Sequence, residues 1–184
     1  MRKVKKFKLT SEFIVDISGV KLFRIKALIE FGNVKAGDLG GYIEKEENLS
    51  HMGNAWVSGN AQVSGDARVS GDARVSGNAW VSGNAQVSGD ARVSGNARVS
   101  GDAQVFGDAR VSGDKDYAYA HGFGSCNRTT TFFRLKDGDV GVRCGCFYGT
   151  LAQFRDNVCE THGETKKAQE YLMLADLMDF RFKN

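Results

Sequence analysis

The stretch from Gly53 to Ser112 repeats one hexapeptide ten times: GNAWVS-GNAQVS-GDARVS-GDARVS-GNAWVS-GNAQVS-GDARVS-GNARVS-GDAQVF-GDARVS. Val recurs every six residues, a period that drifts around the 3.6-residue turn of an α-helix and therefore does not predict an amphipathic helix. Ala and Val are two positions apart, so on an extended backbone they point to one side and the residue between them points to the other. The Gly-Asn or Gly-Asp pair supplies a corner. Each hexapeptide therefore predicts one short strand and one turn of a β-solenoid.

The repeat resembles the hexapeptide of left-handed parallel β-helices, in which three hexapeptides form one triangular coil of 18 residues. The resemblance implies a single-stranded parallel β-helix, left-handed, of about three coils. Burial of Ala and Val alone does not offset the backbone entropy lost on folding. We therefore expect hydrogen bonds between coils, stacked Asn and Ser ladders, and caps that cover both ends of the solenoid.

The repeat divides the chain into three parts. Residues 1–52 predict an N-terminal β cap and a first irregular coil, residues 53–112 the hexapeptide β-helix, and residues 113–184 a C-terminal α+β capping domain. Within the first part, residues 4–9 and 20–29 predict strands. The segment from Gly37 to Tyr42 predicts a tight turn that leads into the first coil.

The C-terminal part has a different pattern, which predicts a ββαα domain. Thr129–Leu135 and Val140–Phe147 are apolar and β-prone, and the Lys-Asp-Gly-Asp sequence between them predicts a hairpin turn. Thr150 opens a capping box for a helix that ends near Gly163. Residues 166–179 have apolar side chains at helical spacing and predict a second helix. The fold class predicted for the chain is therefore mainly β, with α-helices confined to the C-terminal end.

The charge of the chain is nearly balanced. The formal net charge is +3 over 184 residues, the repeats contain five Arg and five Asp, and the basic excess lies in residues 1–52. A mimic of DNA would need a strongly acidic face, and direct binding of nucleic acid is not expected from so small a basic surplus. The start of the sequence predicts neither a signal peptide nor a membrane span. We expect a protein of the bacterial host cytoplasm with no membrane partner.

One group of residues could hold a metal. Cys144 and Cys146 form a Cys-x-Cys pair, and Cys159 and His162 follow after twelve residues. Three thiolates and an imidazole are suitable ligands for zinc. Cys-x-Cys on a strand also places both sulfurs on one face, which suits a buried core. We favour core packing over zinc, and zinc over a catalytic thiol.

Hexapeptide solenoids include acyltransferases, whose general-base His lies on the coils. No His occurs between Gly53 and Ser112, and no repeat carries an insertion. The repeats also contain no Thr, which an ice-binding array would need. The sequence therefore predicts no catalytic residue, no enzyme activity and no cofactor.

A coil of 18 residues would stack Trp56, Arg74, Arg92 and Arg110 in one column, beside a second column of Asn54, Asp72, Asp90 and Asp108. These columns would form a charge-paired surface, with an aromatic ring at one end, that suits a protein partner. We favour the alternative, a solvated face whose charges neutralise each other, over this binding surface. Trp80 is the second candidate aromatic contact and lies on another side.

Residues 53–76 and 77–100 are identical at 23 of 24 positions. Duplication of four hexapeptides shifts the copy by one face of a three-sided coil, which favours the ends as the specific surfaces.

The whole chain resembles hexapeptide-repeat β-helix proteins of bacteria and phages. The residues that carry the resemblance are Gly37-Asp38-Leu39-Gly40-Gly41-Tyr42-Ile43-Glu44, Asn48-Leu49-Ser50, Gly53-Asn54-Ala55-Trp56-Val57, Gly145-Cys146-Phe147-Tyr148-Gly149-Thr150-Leu151 and Thr161-His162-Gly163. The chain also looks like small accessory proteins of prophages, a class that includes anti-CRISPR proteins. The resemblance implies a non-catalytic protein that binds a host protein, such as a defence nuclease or its nucleoprotein complex, and inhibits it. Alternatives are a self-associating scaffold resembling the bactofilins and a zinc-binding or enzymatic C-terminal domain. We expect a monomer or a homodimer.

Overall fold

The computed structural model describes residues 5–125 and 127–183. The chain is mainly β. Its N-terminal strands are β1 (Phe7–Val15), β2 (Lys21–Ala27) and β3 (Leu39–Ile43). The solenoid strands are β4 (Trp56–Val57), β5 (Gln62–Val63), β6 (Arg68–Val69), β7 (Arg74–Val75), β8 (Trp80–Val81), β9 (Gln86–Val87), β10 (Arg92–Val93), β11 (Arg98–Val99), β12 (Gln104–Val105) and β13 (Arg110–Val111). The C-terminal elements are β14 (Tyr117–Phe123), β15 (Arg128–Arg134), β16 (Val140–Cys144), β17 (Phe147–Thr150), α1 (Leu151–His162) and α2 (Lys166–Phe182).

The ten repeats form the predicted parallel solenoid. Every Ala and every Val of the repeats is fully buried, as the alternation predicted. The corner glycines have φ between 62° and 71°, the left-handed region that favours Gly. A Cβ on Gly71 would lie 3.0 Å from the backbone nitrogen of Gly89 in the next coil. Glycine is therefore required at the corners both for their conformation and for the close stacking of the coils.

The coil is 18 residues long, and backbone hydrogen bonds join each coil to the next. The amide of Trp56 donates to the carbonyl of Ala73 at 3.0 Å, and equivalent bonds recur along the stack. Asn side chains add a ladder at one corner, where Asn60 donates to Asn78 at 3.3 Å and Asn78 donates to Asn96 at 3.2 Å. The expected Asn ladder is thus confirmed. Left-handed coiling remains a prediction from the resemblance.

The solenoid extends further toward the N-terminus than the hexapeptide register. Strand β3 pairs in parallel with β5, and Leu49 forms a single parallel bridge with Val69. Two faces are therefore four strands deep, and the third has three strands and this bridge. The regular repeats supply the expected three coils, and the irregular coil predicted within residues 1–52 brings the total to about four. This first coil does not repeat the Gly-x-Ala-x-Val pattern.

The N-terminal strands differ in extent from the prediction. Strand β1 runs from Phe7 to Val15 rather than over residues 4–9, and β2 runs from Lys21 to Ala27 rather than over residues 20–29. Val4 lies outside the described residues. The two strands form an antiparallel hairpin whose pairing shifts between Leu9 and Phe13. The irregularity begins at Leu9, where the predicted strand ended.

Gly40 and Gly41 lie in strand β3, not in the predicted tight turn. A Cβ on Gly40 would lie 2.6 Å from the carbonyl oxygen of Val57, and a Cβ on Gly41 would lie 2.6 Å from that of Ala61. The two glycines therefore allow β3 to lie directly against the first regular coil. The turn itself is at Gly37, where φ is 97°.

Lys6 covers the N-terminal end of the solenoid at one face. Its side chain is buried, and its ammonium donates to the carbonyl of Ala55 at 2.8 Å and to that of Gly53 at 3.3 Å. The ammonium also lies 4.7 Å from the centre of the Phe31 ring. Burial lowers the pKa of Lys6 to about 8, and Asp72 opposes this change. A single side chain thus satisfies carbonyls that have no preceding coil to bond.

Asn48 covers the same end at another face. Its Nδ2 donates to the carbonyls of Gly65 at 3.0 Å and Ala67 at 2.9 Å, and its Oδ1 accepts the amide of Lys45 at 2.9 Å. The side chain is fully buried. On the third face, strand β3 supplies ordinary backbone bonds. The N-terminal end is therefore closed on all three faces.

The C-terminal end of the solenoid is closed in a similar way. Asp114 accepts the amide of Arg98 through Oδ1 at 2.8 Å, and Thr131 accepts the amide of Gln104 through Oγ1 at 2.9 Å. On the third face, Leu135 forms an antiparallel bridge with the last repeat. The side chains that continue the hydrogen bonding come from the C-terminal domain, so this domain is fixed to the solenoid.

The C-terminal domain is a four-stranded antiparallel sheet, in the order β14-β15-β16-β17, with two helices packed on it. The predicted hairpin is present, but β14 was missed and the predicted Val140–Phe147 strand is two strands separated by a turn at residues 145–146. The capping box at Thr150 is confirmed, because Thr150 and Gln153 bond each other's backbone amides. Helix α1 ends at His162, before Gly163, as predicted. In the described part of the chain, no helix is long and apolar enough to cross a membrane.

Candidate protein-binding face

The solenoid has three outer faces, which we name by the side chains at the centre of their strands. The arginine face carries Trp56, Arg74, Arg92 and Arg110. The mixed face carries Gln62, Trp80 and Arg98. The glutamine face carries Arg68, Gln86 and Gln104. The pairing register therefore confirms the column predicted from the 18-residue coil.

The arginine face is not charge-paired, contrary to the sequence interpretation. Among residues 5–125 and 127–183, none of the ion pairs includes Arg74 or Arg92. Asp72 instead accepts hydrogen bonds from the backbone amide and side chain of Asn54, at 3.1 and 2.8 Å. Asp72 thus bonds along its own corner, and the guanidinium groups of Arg74 and Arg92 have no carboxylate partner in the described chain.

Arg110 ends the column and behaves differently from Arg74 and Arg92. Its Nη1 donates to the carbonyls of Asp90, Asp108 and Ala109, at distances of 2.9, 3.2 and 2.8 Å. These carbonyls lie at the edge of the solenoid, close to the C-terminal domain. Arg110 therefore has a structural role, and Arg74 and Arg92 are the candidates for binding.

A groove runs along the arginine face, and we call it the arginine groove. Its volume is ≈460 Å³. Its lining consists of one aromatic ring, two guanidinium groups, three hydroxyls and one amide: Asn33, Trp56, Ser58, Arg74, Ser76, Arg92 and Ser94. The serines occupy the last position of three successive hexapeptides on this face. The repeat therefore produces a column of hydroxyls beside the column of guanidinium groups.

Trp56 is not the exposed aromatic contact that the sequence suggested. Its exposed fraction is 5%, and its ring meets the Phe31 ring edge-on with centroids 5.4 Å apart. The segment between β2 and β3 covers it. Trp56 closes the N-terminal end of the arginine groove instead of presenting a free ring to a partner.

Trp80 lies on the mixed face, as predicted, between Gln62 and Arg98. It is partly buried, and its Nε1 donates to Ser64 Oγ at 3.4 Å. Because Trp80 and the arginine column are on different faces, one flat partner surface cannot contact both.

The candidate zinc ligands do not form a site. Cys144 ends β16 and is half-buried, where it accepts a hydrogen bond from Thr130 at 3.2 Å. Cys146 lies in the turn before β17 and is exposed, and Cys159 is exposed on α1. In the described ranges, no three His, Cys, Asp or Glu side chains lie close enough together to hold a metal ion.

Cys144 packs against the core of the C-terminal domain, as the sequence favoured, whereas Cys146 does not, because it is exposed. The reason is Gly145, whose φ of 58° turns the chain between the two cysteines. His162, the fourth candidate ligand, lies at the end of α1, with its ring centroid 5.8 Å from that of Tyr171.

The sequence analysis missed the contact that joins the solenoid to the C-terminal domain. Phe106 replaces the Ser of the repeat, and its ring meets Tyr148 edge-on with centroids 5.1 Å apart. The guanidinium of Arg143 lies 5.1 Å from the centre of the Phe106 ring. The break in the repeat at Phe106 was a visible signal of this contact.

Two further surfaces are open. A groove of ≈810 Å³ lies beside the N-terminal cap and includes His51, whose Nδ1 accepts the amide of Lys6 at 3.2 Å. On α2, Met173, Leu177 and Phe180 are exposed by 55–79% and share one side of the helix. Neither surface was predicted, although the spacing of the three α2 residues is visible in the sequence.

Comparison with known proteins supports the β-solenoid architecture of the hexapeptide repeats. Residues 61–73, 67–83, 73–89 and 85–101 match the family model described as the YdcK beta solenoid repeat. These matches lie entirely within the solenoid and span less than a quarter of the chain. No curated protein matches the chain. The similarity is therefore to a repeat architecture, and it does not extend to the caps.

Proposed function

We propose that this protein is a non-catalytic binding protein that uses its solenoid to present the arginine face to another protein. The observation that carries the proposal is that Arg74 and Arg92 lie in register beside a groove and form no ion pair with any other residue that the structure describes. Arg is enriched among residues that dominate protein interfaces. The proposal concerns recognition, because the groove offers hydrogen-bond donors and no group positioned for acid–base or nucleophilic chemistry.

The solenoid suits this function because its outer side chains are held on a rigid support. Adjacent strands of a sheet are about 4.8 Å apart, and each coil is bonded to its neighbours through the backbone. A surface that is already ordered loses less conformational entropy on binding than a flexible loop does. The repeated hexapeptide thus fixes the spacing of the charged side chains along the solenoid, so the surface is preorganised for binding.

The closed ends of the solenoid favour a discrete binding protein over a self-associating scaffold. End-to-end assembly of the bactofilin type requires strands that remain open at both ends. Here Lys6, Asn48 and β3 bond one end, and Asp114, Thr131 and Leu135 bond the other. Filaments seen by electron microscopy of the purified protein would reverse this preference.

For the partner, we infer a bacterial defence complex, such as a CRISPR nuclease with its guide RNA. This inference rests on the resemblance of the whole chain to small proteins of phages and prophages, and on the absence of a credible catalytic group in its sequence. Inhibition would follow from contact with a protein surface of the complex, because the nearly neutral solenoid is poorly suited to compete directly for nucleic acid.

The test uses the purified full chain and bacterial cells that carry defined defence systems. We expect the protein to co-elute with one defence complex in size-exclusion chromatography, to lower its DNA cleavage, and to restore phage plaques on cells that carry that system. A catalytically inactive nuclease complex serves as a control for binding without cleavage. Absence of co-elution with every complex, together with unchanged phage restriction, would refute this function.

A further inference from the structure

The arginine face is the face of the regular repeats on which Arg stacks directly on Arg. Arg74 pairs in register with Arg92, and Arg92 with Arg110. On the mixed face Arg98 lies beside Trp80, and on the glutamine face Arg68 lies beside Gln86. The block duplication of four hexapeptides thus leaves one face with a continuous row of guanidinium groups.

Two cations held one strand spacing apart repel each other unless an anion lies between them. Arg110 is held by carbonyl groups, whereas no ion pair within the described chain includes Arg74 or Arg92. Arg74 is partly buried by the neighbouring N-terminal segment, and Arg92 is exposed. An anion on this row would therefore bind guanidinium groups that form no direct ion pair within the described chain.

The other polar groups of the arginine groove match the same ligand. Ser58, Ser76 and Ser94 place three hydroxyls in a column, and Asn33 adds an amide. Hydroxyl and amide groups donate hydrogen bonds, and a guanidinium group donates two parallel bonds to one carboxylate. The groove therefore fits a row of anionic oxygens along the solenoid axis.

We propose that the arginine groove binds an extended acidic segment of the partner protein, with Asp or Glu carboxylates on Arg74 and Arg92. The proposal rests on the protein-binding function above and specifies the chemistry of its partner. A polypeptide is favoured over a nucleic acid because Asp72 and Asp90 lie at the corner beside this row, two residues before the two arginines. A phosphate chain has a charge on every nucleotide and would be repelled there, whereas a peptide can carry carboxylates at some positions and neutral side chains at others.

The test titrates the full chain with two synthetic twelve-residue peptides, one of alternating Glu and Ser and one of alternating Gln and Ser. Binding is followed by isothermal titration calorimetry at low salt and by the NMR signals of the arginine Nε–H groups. We expect binding of the Glu peptide, shifts of the Arg74 and Arg92 signals, and no binding of the Gln peptide. Equal binding of both peptides, or no binding of the Glu peptide at 1 mM, would overturn the proposal.

Matched variants locate the site. Arg74→Gln with Arg92→Gln should weaken binding of the Glu peptide at least tenfold, since each charged hydrogen-bonding group contributes a factor of about ten or more. The control, Arg98→Gln with Arg68→Gln, removes the same charge from the same repeat position on the other two faces. It should change the affinity by less than about twofold. Equal losses in both double variants would show a general charge effect and contradict a site.

A twelve-residue oligothymidylate distinguishes the competing class of ligand. If it binds more tightly than the Glu peptide and depends on Arg74 and Arg92, the groove is a nucleic-acid site and the proposal is wrong. The failure of this inference is separable from failure of the proposed function. A defence complex that co-elutes equally with wild type and with the Arg74→Gln, Arg92→Gln variant would preserve protein binding and reject the acidic segment.

Discussion

Asn48 provides the sharpest test of how the solenoid is closed at its N-terminal end. Replacing Asn48 with Ala removes a fully buried side chain that makes three hydrogen bonds to backbone groups. The carbonyls of Gly65 and Ala67 lose their donor, and the amide of Lys45 loses its acceptor. We expect the free energy of unfolding to fall as a result.

The size of the effect follows from the groups that are left unpaired. Each buried polar group without a partner costs about 1–3 kcal/mol, so three such groups give a loss of at least about 3 kcal/mol. Asn48→Asp keeps the acceptor and the shape but replaces the donor with a carboxylate that faces two carbonyls. Its loss should equal or exceed that of Asn48→Ala. The comparison separates hydrogen bonding from packing, because only the Ala variant leaves a cavity.

The assay is urea unfolding followed by circular dichroism, with linear extrapolation to zero denaturant. The matched control is Asn60→Ala, which removes an exposed Asn with one 3.3 Å bond in the corner ladder and should cost about 0.5 kcal/mol or less. A loss below about 1 kcal/mol for Asn48→Ala, or equal losses for the two variants, would refute the account of end closure.

Three other changes test separate contacts. Lys6→Met should be less stable than wild type in urea unfolding. Between pH 8 and 10.5 the unfolded wild-type chain binds more protons at Lys6 than the folded chain does, so the stability of wild type rises with pH. The difference in free energy of unfolding between wild type and Lys6→Met should therefore widen over this range. Burial alone would raise the pKa of Asp116, but hydrogen bonds from Ser112 and Gly113 lower it below the ordinary value of 3.8. Wild type therefore loses stability as the pH falls below about 4 and this carboxylate takes up a proton. Asp116→Asn has no such group, so in an acid titration it should lose less stability than wild type over the same pH range. Phe106→Ser restores the repeat but removes the aromatic contact with the C-terminal domain, and should lower the free energy of unfolding by about 2 kcal/mol in urea; no loss would contradict that contact.

Local patterns were sufficient to predict the regular elements. The alternation of Ala and Val placed both in the interior, and the 18-residue coil placed Arg74 above Trp56. The capping box at Thr150 correctly located the start of α1. The burial of Ala and Val and the start of α1 depend on side-chain direction and backbone conformation over a few residues, so the sequence alone carries them. The 18-residue coil came from the resemblance to other hexapeptide β-helices.

The irregular elements could not be obtained in this way. Strand β3 contains Gly40 and Gly41, which indicate a turn by propensity. They lie in a strand because β3 pairs with β2 and β5, so close to the neighbouring coil that a Cβ would not fit. Gly145 divides a stretch that has continuous β propensity and exposes Cys146. In both cases a contact or a single backbone angle overrides the preference of the surrounding residues.

The sequence by itself determined that this protein is a β-solenoid, because the strict alternation within each hexapeptide fixes which side chains share a side. The column of arginines on one face followed only when the resemblance to three-hexapeptide β-helices supplied the length of the coil. Only the tertiary structure decided what those side chains can do. Trp56 is covered by Phe31, Arg110 is held by carbonyls, and Arg74 and Arg92 have no ion-pair partner in the described chain. Contacts between segments far apart in the chain decide these outcomes, and a repeating hexapeptide contains no information about them.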